Sequence, residues 1–324
     1  MRLVTSEKFS AGRARTSPCN LILVSNPYVS SPEDFAELAQ WIHEADPAVK
    51  VHMWTDRRAS ARKWLWAMRR TMVFSAVKSL KFRVLRGAVY QGGALTKSQE
   101  FEALTRAGVA VPPYVVLTQE QPTADLSRLG EYVVVKPDRG GRGANVRVMR
   151  AGKVRWEPDD ESRCAGKSSK TLAQQFIYTG PWPISYRVTS LFGEALFSLK
   201  VEASHDRSPL AGPDGFRTTP GLSVVSNSKR CTFCYENDPA IIQFAEQAHR
   251  AFPKIPLLGI DVVRDAATGE LYVLEVNSGG YVWHFTSRMG LSVQKQFGLN
   301  FESQFNGRRK AAQILAAKAM ELAT

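Results

Sequence analysis

The sequence predicts a mixed α+β (α/β) fold, and three observations predict it. A β-α-β pattern runs over residues 20–54. Residues 131–149 read as strand, glycine loop, strand. Residues 257–280 read as two strands joined by a turn. With 324 residues the chain is long enough for two or three lobes with their own cores. Its apolar content of 44% is that of an ordinary soluble globular protein.

The elements follow in order. NLILVS, residues 20–25, is a buried strand. Ser31 or Pro32 opens a helix with Glu33 and Asp34 in its first turn and Phe35, Leu38, Trp41 and Ile42 along one face. Residues 49–54 form a second strand, so the chain starts as a small Rossmann-like lobe. Residues 98–107 form a helix that stops near Gly108, and residues 114–118 a strand. Tyr132–Val135 is short, apolar and β-branched, hence a buried strand. Strands recur at 171–177, 186–192 and 195–202. Residues 203–237 are rich in Ser, Pro, Gly, Asn and Arg, and an unstructured stretch of that length is usually functional. An amphipathic helix at 239–251 and an alanine-rich helix at 308–322 complete the chain.

Chemistry enters at two places. Glu275 and Asn277 stand two apart on the last strand, so alternation puts them on one face and Leu274 and Val276 on the other. Asp261 comes within pairing distance if Asp265–Gly269 is a hairpin turn. Two carboxylates and an amide oxygen then converge, a hard-oxygen set suited to Mg²⁺ on nucleotide phosphates rather than to zinc. Taken by themselves these residues also fit an acidic, solvated hairpin. Upstream, Lys136 ends its strand, and Gly140, Gly141 and Gly143 supply a loop whose N–H groups can approach an anion closely. This is not a Walker A loop: Gly166, Lys167 and Ser168 carry its last three residues, but Glu161 stands where its first glycine belongs. Nor is it GxGxxG, since Val146 takes the last position. There is no GxSxG, and no cysteine has an obvious histidine partner.

Lysine, glycine hairpin, strand pair and then D…ExN, in that order, resemble the ATP-grasp superfamily. The resemblance covers roughly residues 90–300. Lys97, in GGALTKSQEFEALTRAGVAVPPYVV, matches the early lysine of the family. Lys136 with KPDRGGRG matches the second lysine and its flap. LAQQFI is similar to the linker that holds adenine, which implies nucleotide contacts at Gln174, Gln175, Phe176 and Ile177. YRVTSLFGEALFSLK is similar to a hairpin that supplies phosphate-side cations, which implies catalytic roles for Arg187 and Lys200. Asp261, Glu275 and Asn277 match the metal set. The implied fold is an N-terminal lobe of residues 19–95 followed by an ATP-grasp domain of residues 96–324. The latter divides into a flap subdomain, 96–175, and a metal subdomain, 176–324, which clamp ATP. The implied cofactors are ATP and Mg²⁺. The implied reaction activates a carboxylate as an acylphosphate and joins it to an amine. Two departures are visible. Gln174 and Gln175 stand where many relatives carry an acid for the ribose, and the spacing from Asp261 to Glu275 is generous.

Charge and cysteines add bounds. Net charge is +13, and residues 56–86 hold ten Lys/Arg against one Asp, interleaved with Trp64, Trp66, Phe74 and Phe82. Three readings stand for this basic helical segment: surface helices packed on the core, a recruiting patch for an acidic substrate or partner, or contact with nucleic acid or anionic lipid. Cys19, Cys164, Cys231 and Cys234 make no disulfide framework, which fits the cytoplasm, and Cys231-x-x-Cys234 lacks the second half of a zinc site. No apolar run reaches 18 residues, so no membrane span is expected. Residues 1–18 read as a flexible tail, with a transit peptide as the other reading. Arg217, Asn227, Lys229 and Arg230 are candidate carboxylate contacts, Gly279 and Gly280 allow close backbone approach, and Tyr281, Trp283 and His284 are candidate pocket residues, His284 also as a general base. The expected partners are a small-molecule or peptide carboxylate and an amine. A dimer or tetramer fits the resemblance. The alternatives to a ligase are a phosphotransferase acting on a small alcohol and a nucleotide- or nucleic-acid-binding scaffold built on residues 56–86.

Overall fold

The computed structural model describes residues 18–25, 31–55, 69–77, 84–140, 145–158, 170–205, 209–212, 231–278 and 283–322. Three sheets succeed one another along the chain. The first is parallel, in the order β2-β1-β3-β4, from β1 (Cys19–Ser25), β2 (Val49–Thr55), β3 (Thr71–Ser75) and β4 (Gly87–Tyr90). Helix α1 (Pro32–Ala45) crosses between β1 and β2. The Ser31 hydroxyl accepts from the Asp34 N–H at 3.2 Å, so the sequence-predicted cap is in place. The β-α-β start is therefore as expected. The basic segment is corrected in part: Thr71–Ser75 form a fully buried parallel strand rather than helix. TMVFS carries no charge and three β-branched or aromatic residues, and between two strands such a run buries better extended than helical. Residues 56–68 and 78–83, and with them the other readings of that segment, lie outside the described residues.

The second sheet is antiparallel, in the order β5-β8-β6-β7, from β5 (Tyr114–Leu117), β6 (Tyr132–Pro137), β7 (Arg147–Arg150) and β8 (Thr171–Gln175). Helix α2 (Lys97–Arg106) precedes it, opened by a reciprocal capping box between Thr96 and Gln99. The third sheet, also antiparallel, runs β11-β10-β9-β12-β13, from β9 (Ile184–Leu191), β10 (Glu194–Ala203), β11 (Cys231–Tyr235), β12 (Leu257–Arg264) and β13 (Leu271–Asn277). Strand β11 falls inside the stretch read as loop, because its CTFCY alternation is too short to rise above the polar residues before it. Cys231 and Cys234 stand three apart on this strand, so their side chains leave opposite faces and cannot share a zinc ion.

Helix α3 (Pro239–Arg250) covers one face of the third sheet, where Ile241, Ala245 and Ala248 meet Val188, Leu258, Ile260 and Val262. Helices α4 (Arg288–Phe297), α5 (Phe301–Phe305) and α6 (Gly307–Glu321) close the chain. Ala311, Ala312, Leu315 and Ala319 of α6 share a core with Phe35 and Leu38 of α1 and with Leu196 and Phe197 of β10, so the last helix ties the first sheet to the third. No helix among the described residues is long and apolar enough to cross a membrane.

A buried histidine gives the fold a pH signature. His249 of α3 contacts the Ser190 hydroxyl through Nδ1 at 2.5 Å and the Ile255 carbonyl through Nε2 at 3.0 Å. Burial pulls it down to about 4. Its folded value lies below its unfolded one, so the unfolded chain binds the extra proton. The stability it contributes is complete above about pH 6.5 and is lost as pH falls toward 4. Urea midpoints at pH 7 and pH 4.5 should differ more for the wild type than for His249→Gln, which cannot titrate.

Candidate functional site

The turn joining β12 and β13 is built as its residues dictate. The Asp265 side chain accepts the N–H groups of Ala267 and Thr268 at 2.8 and 2.9 Å, and Gly269 takes a left-handed φ of 75°. The register that follows sets Asp261 directly opposite Glu275 and Gly259 opposite Asn277. A bulge between Asp261 and Val262 absorbs the generous spacing. Asn277 Nδ2 donates to Asp261 Oδ2 at 3.1 Å, so the three residues of the predicted metal set meet on one face. Two carboxylates and an amide oxygen fit Mg²⁺ by donor chemistry.

Across β12, Arg187 of β9 stands opposite Asp261 and grips it with two N–H groups, Nε at 2.7 Å and Nη2 at 2.5 Å. Burial disfavours the guanidinium charge, but Asp261 more than offsets this and holds Arg187 above its ordinary value. Lys200 is a correction. It pairs with Tyr186, one residue out of step with Arg187, so alternation turns it to the opposite face, where Nζ meets Glu202 at 2.6 Å. The register does not make one phosphate-side pair of Arg187 and Lys200.

The two predicted lysines come from α2 and from β6 of the second sheet. Lys97, in the first turn of α2, places Nζ 3.1 Å from Glu275 and donates to the Gly140 carbonyl at 2.9 Å. Lys136, at the end of β6, donates to the Leu274 carbonyl at 3.1 Å and lies 4.7 Å above the Phe101 ring. Burial lowers Lys136 to about 8 despite the nearby Glu275. Gly140 adopts φ 120°, a conformation that suits glycine. Gly141 and Gly143 lie outside the described residues.

The linker leaves β8 with Gln174 buried and Gln175 half-buried, followed by buried Phe176 and Ile177. Gln174 pairs with Val134 and Leu172 with Lys136, so Gln174 shares the sheet face of Lys136. Its Oε1 is a buried acceptor without a partner among the described residues. Beside it Val134, Phe176 and Leu210 pack with Val146, Val148 and Tyr178 into a small apolar cluster.

Sequence reasoning missed three groups. Glu100 is buried one helical turn after Lys97 and accepts the Val276 N–H at 3.3 Å. Burial, then the charge of Glu275, raises it to about 8. Its spacing of three from Lys97 was the legible signal. Asp138 caps the start of α2, its side chain accepting the Ser98 N–H at 2.8 Å and its carbonyl the Lys97 N–H at 3.0 Å. Asp34 accepts from Trp283 Nε1 at 2.9 Å, from the Thr286 hydroxyl and from Arg308 Nη1 at 2.7 Å. Trp283 is therefore core, not pocket, and is fully buried against Phe35 and Phe285. His284 is buried, its Nδ1 is 3.0 Å from the Ser287 hydroxyl, and burial with the Arg187 charge lowers it to about 3. That environment disfavours the imidazolium that a general base must become, so His284 is a poor proton acceptor near pH 7. Gly290 abuts the His284 carbonyl so closely that a Cβ there would lie 1.7 Å from it. Arg217, Asn227, Lys229, Arg230, Gly279, Gly280 and Tyr281 lie outside the described residues.

A family model described as "ATP-grasp domain" matches residues 94–279. No curated protein matches the chain. Among solved structures, the ATP-grasp ligase PsnB complexed with minimal precursor, Mg and ADP is similar at 14% identity, over 92% of this chain and 98% of that one, with a TM-score of 0.50. The D-cycloserine synthetase DcsG is similar at 16% identity, over 94% and 100%, with a TM-score of 0.48. D-alanine–D-alanine ligase from Bacillus anthracis is similar at 12% identity, over 92% and 99%, with a TM-score of 0.47. Likeness at these identities speaks to the fold alone. The family match spans more than half of the chain and contains the two lysines, the flap and the D…ExN strand pair, and on that ground the protein belongs to the ATP-grasp family.

Proposed function

We propose that this protein is an ATP-dependent ligase that activates a carboxylate as an acylphosphate and joins it to an amine, with Mg-ATP held between two lobes. One observation carries the reading: Lys97 pairs with Glu275 at 3.1 Å and Lys136 donates to the Leu274 carbonyl at 3.1 Å, so both lysines meet the strand that carries Glu275 and Asn277, with Asp261 beside Asn277. Facing cations and hard-oxygen acids form a seam that accepts a polyphosphate and its counter-ion together. Asp261, Glu275 and Asn277 would hold the metal, and Lys97, Lys136 and Arg187 beside them would face the phosphates. Mg²⁺, when bound by Asp261, Glu275 and Asn277, neutralises phosphate charge.

The chain's own residues do the rest by position and charge. Lys97 and Lys136 orient the phosphates. Arg187, held beside Asp261, stabilises the transferring phosphoryl group. Gly140, whose carbonyl accepts from Lys97, sets the glycine loop beside the phosphate seam. Gln174, Gln175, Phe176 and Ile177 receive the adenosine end, with the unpartnered Gln174 amide oxygen available to an exocyclic amine. A substrate carboxylate attacks the γ-phosphorus, ADP departs, and an amine then displaces phosphate from the acylphosphate to leave an amide. The fold is shared with the ATP-grasp ligase PsnB, complexed with minimal precursor, Mg and ADP, and a peptide or small-molecule carboxylate as substrate is consistent with that likeness.

The test is ADP release against amino acids, short peptides and hydroxy acids. Release that needs a carboxylate and an amine together, with an amide as product, supports the ligase. A phosphorylated alcohol as product would replace it with a phosphotransferase. Lys97→Ala should raise KM for ATP about ten-fold or more, because each lost charge-assisted hydrogen bond costs about 1.5–3 kcal/mol. Unchanged KM in that variant would remove Lys97 from the phosphate site.

A further inference from the structure

Among the described residues strand β13 is an edge strand, paired with β12 alone. An edge leaves a row of backbone groups without a ladder partner. Here three of them are taken up from α2, from the chain that follows it and from β6. The Val273 N–H donates to the Ala110 carbonyl at 3.0 Å, the Leu274 carbonyl accepts from Lys136 Nζ at 3.1 Å, and the Val276 N–H donates to Glu100 Oε2 at 3.3 Å. Ala110 contributes only backbone, and Lys136 is already assigned to the phosphates. Glu100 is a side chain that, among the described residues, hydrogen-bonds this edge alone.

Its position is set twice. Asp138 grips the first turn of α2 through the Lys97 and Ser98 N–H groups. Lys97 and Glu100, three apart, then leave the same side of the helix. Lys97 reaches the Glu275 side chain while Glu100 reaches the backbone of the next residue, between Glu275 and Asn277. The helix thus holds the strand at two adjacent points, one through a side chain that the proposed nucleotide site uses and one through a main-chain group that it does not.

We propose that Glu100 is a positioning residue that holds β13, and with it Glu275 and Asn277, in register against Lys97 and Lys136. The proposal rests on the ligase reading for its consequence but not for its geometry. It predicts that losing the Glu100 acceptor lets the strand shift without removing any group of the site, so the loss falls on the affinity for the cation more than on turnover at saturation.

The experiment compares Glu100→Ala and Glu100→Gln in the full chain by hydrogen exchange at the Val276 amide and by the Mg²⁺ dependence of ADP release. Glu100→Ala should speed Val276 exchange and raise the half-saturating Mg²⁺ concentration, each about ten-fold, with a smaller fall in kcat. Glu100→Gln keeps an acceptor oxygen and should restore most of both. Wild-type exchange in Glu100→Ala overturns the proposal, and so does a glutamine variant as impaired as the alanine one. Where the alanine variant does not fold, Glu100→Asp, which withdraws the carboxylate by one methylene, takes its place with the same expected direction. A wild-type protein that releases no ADP with any substrate would overturn the ligase reading, while Val276 exchange would still decide the role of Glu100.

Discussion

Replacing Asp261 with alanine is expected to lower folding stability by about 3 kcal/mol and ADP release by about a hundred-fold or more. The stability loss arises from Arg187. Its guanidinium makes two hydrogen bonds to Asp261, and neither side chain is well solvated, at 28% and 12% exposed. Removing the carboxylate leaves a cation with little water to replace it, and the remaining exposure places the cost toward the lower end for a broken buried pair. The activity loss arises because Asp261 is also the centre of the proposed Mg²⁺ set. Asp261→Asn separates the two effects, since it keeps an acceptor for Arg187 but lowers the charge offered to the cation. Urea unfolding followed by circular dichroism, beside ADP release at increasing Mg²⁺, reads both. An Asp261→Ala protein with wild-type ADP release and Mg²⁺ dependence would remove Asp261 from the proposed Mg²⁺ set.

Asp34→Ala should be as costly or more so, at about 4 kcal/mol, although Asp34 belongs to α1 and lies outside the proposed reaction. Its side chain is 1% exposed and accepts from Trp283, Thr286 and Arg308, which come from the segment after β13 and from α6. Deleting it strands a buried indole N–H and loosens a guanidinium also held by Glu37 and Glu302. Asparagine should recover part of the loss, because one of its two terminal groups must present N–H to a donor. The expected result is a lower urea midpoint and a shifted tryptophan emission, since Trp283 packs in the core that joins the first sheet to the third. A change in stability below about 0.5 kcal/mol would mean that the core holds this segment without the carboxylate.

Much of the site is legible in the sequence. Alternation along LYVLEVN is enough to put Glu275 and Asn277 on one face, and a turn of the DAATG kind is enough to bring Asp261 back to them. The order of Lys97, Lys136, glycine loop and D…ExN carried the family. What misled was local likeness without register. Lys200 and Arg187 both stand on the hairpin that the resemblance marked, and only the pairing of β9 with β10 shows them on opposite faces. Trp283 looks like a pocket residue beside a run of glycines, yet its indole has a buried carboxylate 249 residues away.

The sequence by itself determined the periodic elements and the residue types that phosphate and Mg²⁺ chemistry requires, because strand alternation, helix caps and turn conformations depend on neighbours a few residues apart. The tertiary structure alone decided which charges meet. Arg187 with Asp261, Lys97 with Glu275, Glu100 with the Val276 N–H and Asp34 with three donors are contacts across 74 or more residues. Such pairs are selected by sheet register and by the cost of burying an unpartnered charge, which no local pattern encodes.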